Sequence, residues 1–125
     1  MAGDKLRGAR GLLLDLDGVL YVEDEPIEGA IEAVEELRRS GIPMRFCTNT
    51  TVRSVRSLVD KLHRIGLPIE DNEVFSAVRA AVSYLRSEGR PRCHLLVTED
   101  PMEDFAEFEQ DDEALIPREE MVVTI

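Results

Sequence analysis

No run of apolar residues in this sequence is long enough to cross a bilayer. No secretory leader is expected either, since Leu12-Leu13-Leu14 is too short to be its apolar segment and runs straight into Asp15. A cytoplasmic chain with no membrane role is the expectation. Cysteine is scarce. Cys47 and Cys93 are too few for a disulfide framework, and their spacing fits no zinc pattern. Cys47 sits in an apolar strand and reads as a reduced core residue. The two histidines, His63 and His94, stand isolated and read as surface or strand residues rather than metal ligands. Basic residues are nearly absent from the C-terminal stretch. Residues 99–125 hold one Arg, Arg118, against 11 acids, whereas residues 1–98 balance 14 Lys and Arg against 15 Asp and Glu. That tail excludes nucleic acid as a partner, since neutralising phosphates takes Lys and Arg. No G-x-G-x-x-G follows the first apolar run, which sets aside a dinucleotide-binding domain.

What is present suits one modest globular unit with a real core: 125 residues, 43% hydrophobic and 33% charged. The stretch that organises it is Asp15-Leu16-Asp17-Gly18-Val19-Leu20-Tyr21. It follows a triple-Leu run, which reads as a fully buried parallel strand over residues 11–15. Ligands of open α/β sheets bind beyond the carboxyl ends of the strands. Residues two apart on an extended segment point the same way, so Asp15 and Asp17 can face one site. Gly18 lets the backbone turn sharply or approach a ligand closely. One carboxylate can attack phosphorus while the other moves the protons, and a hard cation such as magnesium would clamp the phosphate between them. A solvated turn that happens to carry two Asp would look the same from these residues alone.

A helix is expected over residues 27–39, with Ile27, Ala30, Ile31, Val34 and Leu37 on its buried stripe and a polar connection at 21–26 before it. Ser40-Gly41 stops it. Residues 44–48 read as the next strand, giving a parallel strand–helix–strand crossover. This strand ends at Thr48-Asn49-Thr50-Thr51, whose polar groups can cap a following helix or hold a phosphate resting on that helix's N-terminus. The helix is expected over residues 52–65, with Val52, Val55, Leu58, Val59, Leu62 and Ile65 inward and Lys61 and Arg64 on a solvated face. Residues 67–72 read as a loop, 76–87 as a third helix, and 93–97 as a strand. After these, a short acidic helix is expected to carry Met102, Phe105 and Phe108 with its acids in solvent, and residues 121–125 have strand character.

Taken together, Asp15-Leu16-Asp17-Gly18-Val19-Leu20-Tyr21 and Phe46-Cys47-Thr48-Asn49-Thr50 resemble the first two motifs of the haloacid dehalogenase-like hydrolase superfamily, in its NagD and p-nitrophenylphosphatase-like branch. The resemblance implies an α/β fold: a Rossmann-like parallel sheet, present here as a partial core over residues 1–66, followed by the beginning of an α/β cap domain over 67–125. It implies a magnesium-dependent phosphatase acting on a small phosphorylated metabolite. Asp15 would be the nucleophile and a magnesium ligand. Asp17 would be the general acid and base, its backbone carbonyl also on the metal. Thr48 would hydrogen-bond the transferring phosphoryl group, and Asn49 would shape the substrate side. Such enzymes also carry a Lys and further acids after the cap, and nothing in this sequence matches them. The chain is therefore read as the N-terminal part of such an enzyme, whether a truncated product, a broken gene or a real short protein. It is expected to associate as a homodimer or with a complementing chain that supplies the missing half. Two other readings stand beside it: a phosphate-binding remnant without turnover, and a phosphoacceptor domain like a response-regulator receiver.

Overall fold

The computed structural model describes residues 7–110 and the strand Val123–Thr124. The chain packs as two compact units. The first runs to Thr48 and takes in Val59–Phe75. The second comprises Asn49–Leu58 and the chain from Ser76 on.

The first unit is built on a three-stranded sheet in the order β1 (Leu12–Asp15), β4 (Met44–Thr48), β5 (Val74–Ser76). β1 and β4 are parallel, in register from Leu12 opposite Met44 to Asp15 opposite Cys47. Between them come the small antiparallel pair β2 (Tyr21–Val22) and β3 (Glu25–Pro26), then helix α1 (Ala30–Arg39). The parallel sheet and crossover helix are as the apolar pattern implies. β1 is not fully buried, however. Leu12 and Leu14 are half-buried, while Leu13 is 78% exposed. A strand is apolar-covered on both sides only where both faces are packed, and the face bearing Leu13 is uncovered among the described residues. The expected polar connection at 21–26 is the β2–β3 hairpin, turning at Glu23-Asp24 with Glu23 at φ 54.

α1 begins three residues later than its apolar stripe suggests. Gly29 sits at φ 81, a left-handed conformation that a helix cannot continue through, and the Ala30 amide donates instead to Ile27 in a turn. Val34 and Ala30 are its buried residues. At its other end Arg38 donates to both carboxylate oxygens of Glu73 at 2.7 and 2.8 Å and to the Pro68 carbonyl at 2.5 Å. The chain at 67–72 is less a loop than part of the core: Leu67 and Ile69 are buried, and a 3-10 helix, Asp71–Glu73, leads into β5. Helix α2 (Val55–Arg64) ends at Gly66, where φ is 92 and an added Cβ would stand 3.1 Å from the Ile31 side chain.

In the second unit helix α3 (Ala77–Ser87) is capped by the Ser76 hydroxyl, which accepts from the Arg79 amide at 3.1 Å. Its residues Val78, Val82 and Leu85 pack with Cys93, Phe105 and Phe108. Strand β6 is only Cys93–His94 and pairs in parallel with β7, Val123–Thr124. The strand expected at 93–97 is thus shorter, and Leu96 is 68% exposed. Of the strand expected at 121–125, the remaining three residues lie outside the described ones, as do Arg118 and the acids at 111–113. The expected acidic helix is a 3-10 helix, Asp100–Phe105, that buries Pro101 and Phe105.

Candidate active site

β1 delivers Asp15 to the carboxyl end of the sheet and stops there. Leu16, fully buried, anchors the next step. Its carbonyl accepts from the amides of Leu20 at 2.9 Å and Val19 at 3.2 Å, so the chain turns back immediately. Gly18 makes that turn at φ 76, a region open to glycine but costly for other residues, and donates its amide to the Tyr21 carbonyl at 2.8 Å. A single bridge also joins Asp17 to Tyr21. The result is that Asp15 and Asp17 flank the buried Leu16 and are both exposed.

Their oxygens differ. Asp15 Oδ1 accepts from the Leu16 amide at 2.8 Å, which orients the carboxylate and leaves its second oxygen unclaimed among the described residues. The Asp17 carboxylate makes no hydrogen bond or ion pair among the described residues. Thr48 ends β4, one residue beyond the Asp15–Cys47 register pair, so it lies at the same end of the sheet, and it is buried. Asn49 follows it in the chain and is exposed, opening the other compact unit. An all-oxygen set of carboxylates and a backbone carbonyl suits a hard cation such as magnesium rather than zinc. No group of three or more His, Cys, Asp or Glu that could hold a metal gathers among the described residues. The two aspartates therefore fit such an ion with most positions left to water.

The start of α2 departs from expectation. Val52 is 57% exposed and lies before the helix, and the first amides of α2 are not open to a ligand. Asp100 accepts from the Ser54 amide at 3.2 Å and the Ser54 hydroxyl at 3.4 Å, and Asp104 accepts from the Val55 amide at 3.0 Å. Ser54 Oγ accepts from the Ser57 amide at 3.1 Å, and Arg56 pairs with Glu103 at 2.6 Å. The acids expected in solvent are thus the caps of α2. A phosphate resting on this helix N-terminus, as the sequence suggested, would compete with them. Burial pushes the Asp104 carboxyl above the ordinary range, against the hydrogen bond from Val55 that lowers it.

Lys61 is the second departure. Expected on a solvated face, it is 8% exposed, with its ammonium 4.7 Å above the Tyr21 ring and 3.3 Å from Asp24 Oδ1. Sequence reasoning missed it because Lys61 stands at the margin of the Leu58–Leu62 stripe, and the groups that draw it in lie on the hairpin after the Asp15–Tyr21 turn. The aromatic at position 21 and an acid on a two-residue turn were the only signals.

Three kinds of likeness bear on this site. Residues 12–110 match the haloacid dehalogenase-like hydrolase family. The chain is similar to the phospholysine phosphohistidine inorganic pyrophosphate phosphatase of Bos taurus, at 40% identity over 111 residues, covering 86% of this chain and 41% of that one. Among solved structures it resembles the 4-nitrophenylphosphatase of Thermotoga maritima, with a TM-score of 0.76 at 26% identity over 92% of this chain and 44% of that one. NagD from E. coli K-12 has the same TM-score, 0.76, at 19% identity over 92% of this chain and 45% of that one, a likeness of fold alone. The chain spans about two fifths of the length of the curated relatives it matches. Among the described residues no helix is long and apolar enough to cross a membrane.

Proposed function

This chain belongs to the haloacid dehalogenase-like hydrolase family, in its NagD and p-nitrophenylphosphatase-like branch, and on that premise we propose that it carries the nucleophile end of a magnesium-dependent phosphomonoester hydrolase. The observation that carries this reading is the exposed pair Asp15 and Asp17 around a buried Leu16, at the carboxyl end of a strand parallel to the one ending in Thr48. The oxygen of Asp15 that Leu16 does not hold attacks phosphorus, and the bond to the leaving oxygen breaks as an aspartyl-phosphate forms. Asp17 gives its proton to that leaving oxygen. It then takes one from the water that attacks phosphorus and frees phosphate and Asp15. Thr48 donates to the phosphoryl oxygens, Gly18 lets the backbone approach them, and Asn49 borders the substrate. Magnesium, when held by Asp15 and Asp17, would offset the phosphoryl charge.

In this reading residues 1–66 are the N-terminal part of the core and residues 67–125 the beginning of the cap, although β5 is itself a strand of the core sheet and the chain to residue 75 packs with the first unit. The substrate is a small phosphorylated metabolite met in the cytoplasm. The Lys and further acids that the family resemblance implies match nothing in residues 1–125, and in this reading a complementing chain would carry them. The two-carboxylate donor set favours a second reading in that setting, a phosphate-binding module without turnover.

Hydrolysis of p-nitrophenyl phosphate with magnesium, beside a 31P NMR titration with inorganic phosphate, separates the two. Turnover that Asp15→Asn removes supports the hydrolase. Phosphate binding without turnover supports the module. Neither signal in the chain or in any mixture with a complementing chain would overturn both.

A further inference from the structure

We infer that Lys61 is a positioning residue for the Asp15–Tyr21 turn, acting through Tyr21 and Asp24. The inference rests on the proposed reading only in treating that turn as the reactive one.

A lysine ammonium is strongly hydrated and is rarely buried without a partner. Lys61 has two, and both lie on the hairpin that leaves the turn: the face of the Tyr21 ring at 4.7 Å and Asp24 at 3.3 Å. The side chain is 10% exposed whereas that of Asp24 is 80% exposed, so the contact is made by the lysine reaching in beneath the hairpin. The hairpin itself holds a strained residue, Glu23 at φ 54, next to Asp24. A non-glycine residue stays in that region when its surroundings fix it, and the Asp24–Lys61 pair lies beside it. Tyr21 then carries the constraint onward. Its carbonyl accepts from the Gly18 amide at 2.8 Å, and its backbone bridges to Asp17. Each link from the Lys61 ammonium to Asp17 is a direct contact within one compact unit. A cation over a ring face is drawn to the ring's quadrupole, an attraction that a hydrophobic neighbour of equal size lacks. Lys61 reaches no reacting atom; it sets where Tyr21 sits, and Tyr21 sets where Asp17 sits.

The test uses the whole chain, 15N-labelled and without substrate, so it reads the turn whether or not the chain hydrolyses anything. Lys61→Met keeps the volume and removes the charge. The Gly18 amide should exchange with solvent about tenfold faster and the Asp17 and Gly18 resonances should move, while the amides of Val82 and Leu85 in α3 stay as they were. Lys61→Arg should restore both. In a Tyr84→Phe background Tyr21 is the sole tyrosine and the chain has no tryptophan, so its emission reports the loss of the cation directly. A changed Tyr21 signal with unchanged Gly18 exchange and resonances would overturn the inference and leave Lys61 as packing. Should Lys61→Met fail to fold, Asp24→Asn decides, since Asp24 is exposed: about threefold faster Gly18 exchange supports positioning, and no change overturns it.

Discussion

Asp15 and Asp17 stand at a strand end with oxygens open to solvent, while Asp100 and Asp104 give theirs to the first amides of α2. By composition the second pair is the more conspicuous, set in the most acidic part of the chain. What separates them is the supply of backbone donors. α2 presents amides that no residue within the helix can satisfy, and a carboxylate from a remote segment meets that need. β1 meets its neighbour through a ladder, and beyond it the turn satisfies itself through Leu16, Gly18 and Tyr21. There only Asp15 Oδ1 is taken, by the Leu16 amide, and among the described residues the other carboxylate oxygens are left for something other than the protein's own backbone. An acid is available for chemistry where the fold around it is already satisfied.

The sharpest way to break this contrast is at Asp15. In any form that turns substrate over, Asp15→Asn should cut kcat by about 10³-fold or more, since an amide is no nucleophile. Its unfolding free energy from urea titration should stay within about 0.5 kcal/mol of the parent chain's, as for other exposed sites. A large loss of stability would mean that Asp15 is structural after all.

Asp17→Asn should slow turnover by about 10²-fold, within the range for lost proton transfer, and leave phosphorylated chain detectable by mass spectrometry after acid quench. Equal rates with and without the substitution would remove Asp17 from the mechanism.

The second pair should behave inversely. Asp104→Ala leaves the Val55 amide without its acceptor and should cost about 1–2 kcal/mol by urea unfolding, as lost helix caps do, with inorganic phosphate binding unchanged. If phosphate binding rose instead, the acids would be blocking a ligand seat rather than capping.

The smallest effect is in pH. Glu73 is held below the ordinary carboxylate range, chiefly by its hydrogen bonds from Arg38. Its contribution is therefore complete above the unfolded value and is lost as pH falls through the folded one. Asp104, pushed up mainly by burial, has the opposite sign: its contribution is complete below the unfolded value and is lost as pH rises through the folded one. Between about pH 3 and 6, Glu73→Gln should flatten the acid loss of stability, and Asp104→Asn should remove a component that opposes it. Urea midpoints across that range check both slopes.

Much of this was legible in the residues. Leu12 to Asp15 and Met44 to Thr48 read as strands because apolar runs bounded by turn residues have few other uses, and the Asp15–Tyr21 motif lay where the first strand had to end. What was not legible came from contacts distant in sequence. Nothing near Ser54 announces Asp100, 46 positions on, as its partner. Nothing near Lys61 announces Tyr21 and Asp24. The late start of α1 was closer to hand: Ile27 fits the apolar stripe, but Gly29 at φ 81 breaks the path to it. Val52 fits its stripe equally well and is excluded because the caps begin at Ser54.

The two thiols have a use that their chemistry alone does not suggest. Cys93 lies in the core of one unit beside Phe105 and Phe108, its thiol pushed up by burial and so slow to ionise. Cys47 lies on β4 of the other unit, opposite Asp15. With Cys93 buried and Cys47 only half-buried, an alkylating reagent takes Cys93 as its unit opens and takes Cys47 without such an opening, so the second thiol is a built-in reference for the first in a chain that needs no introduced label.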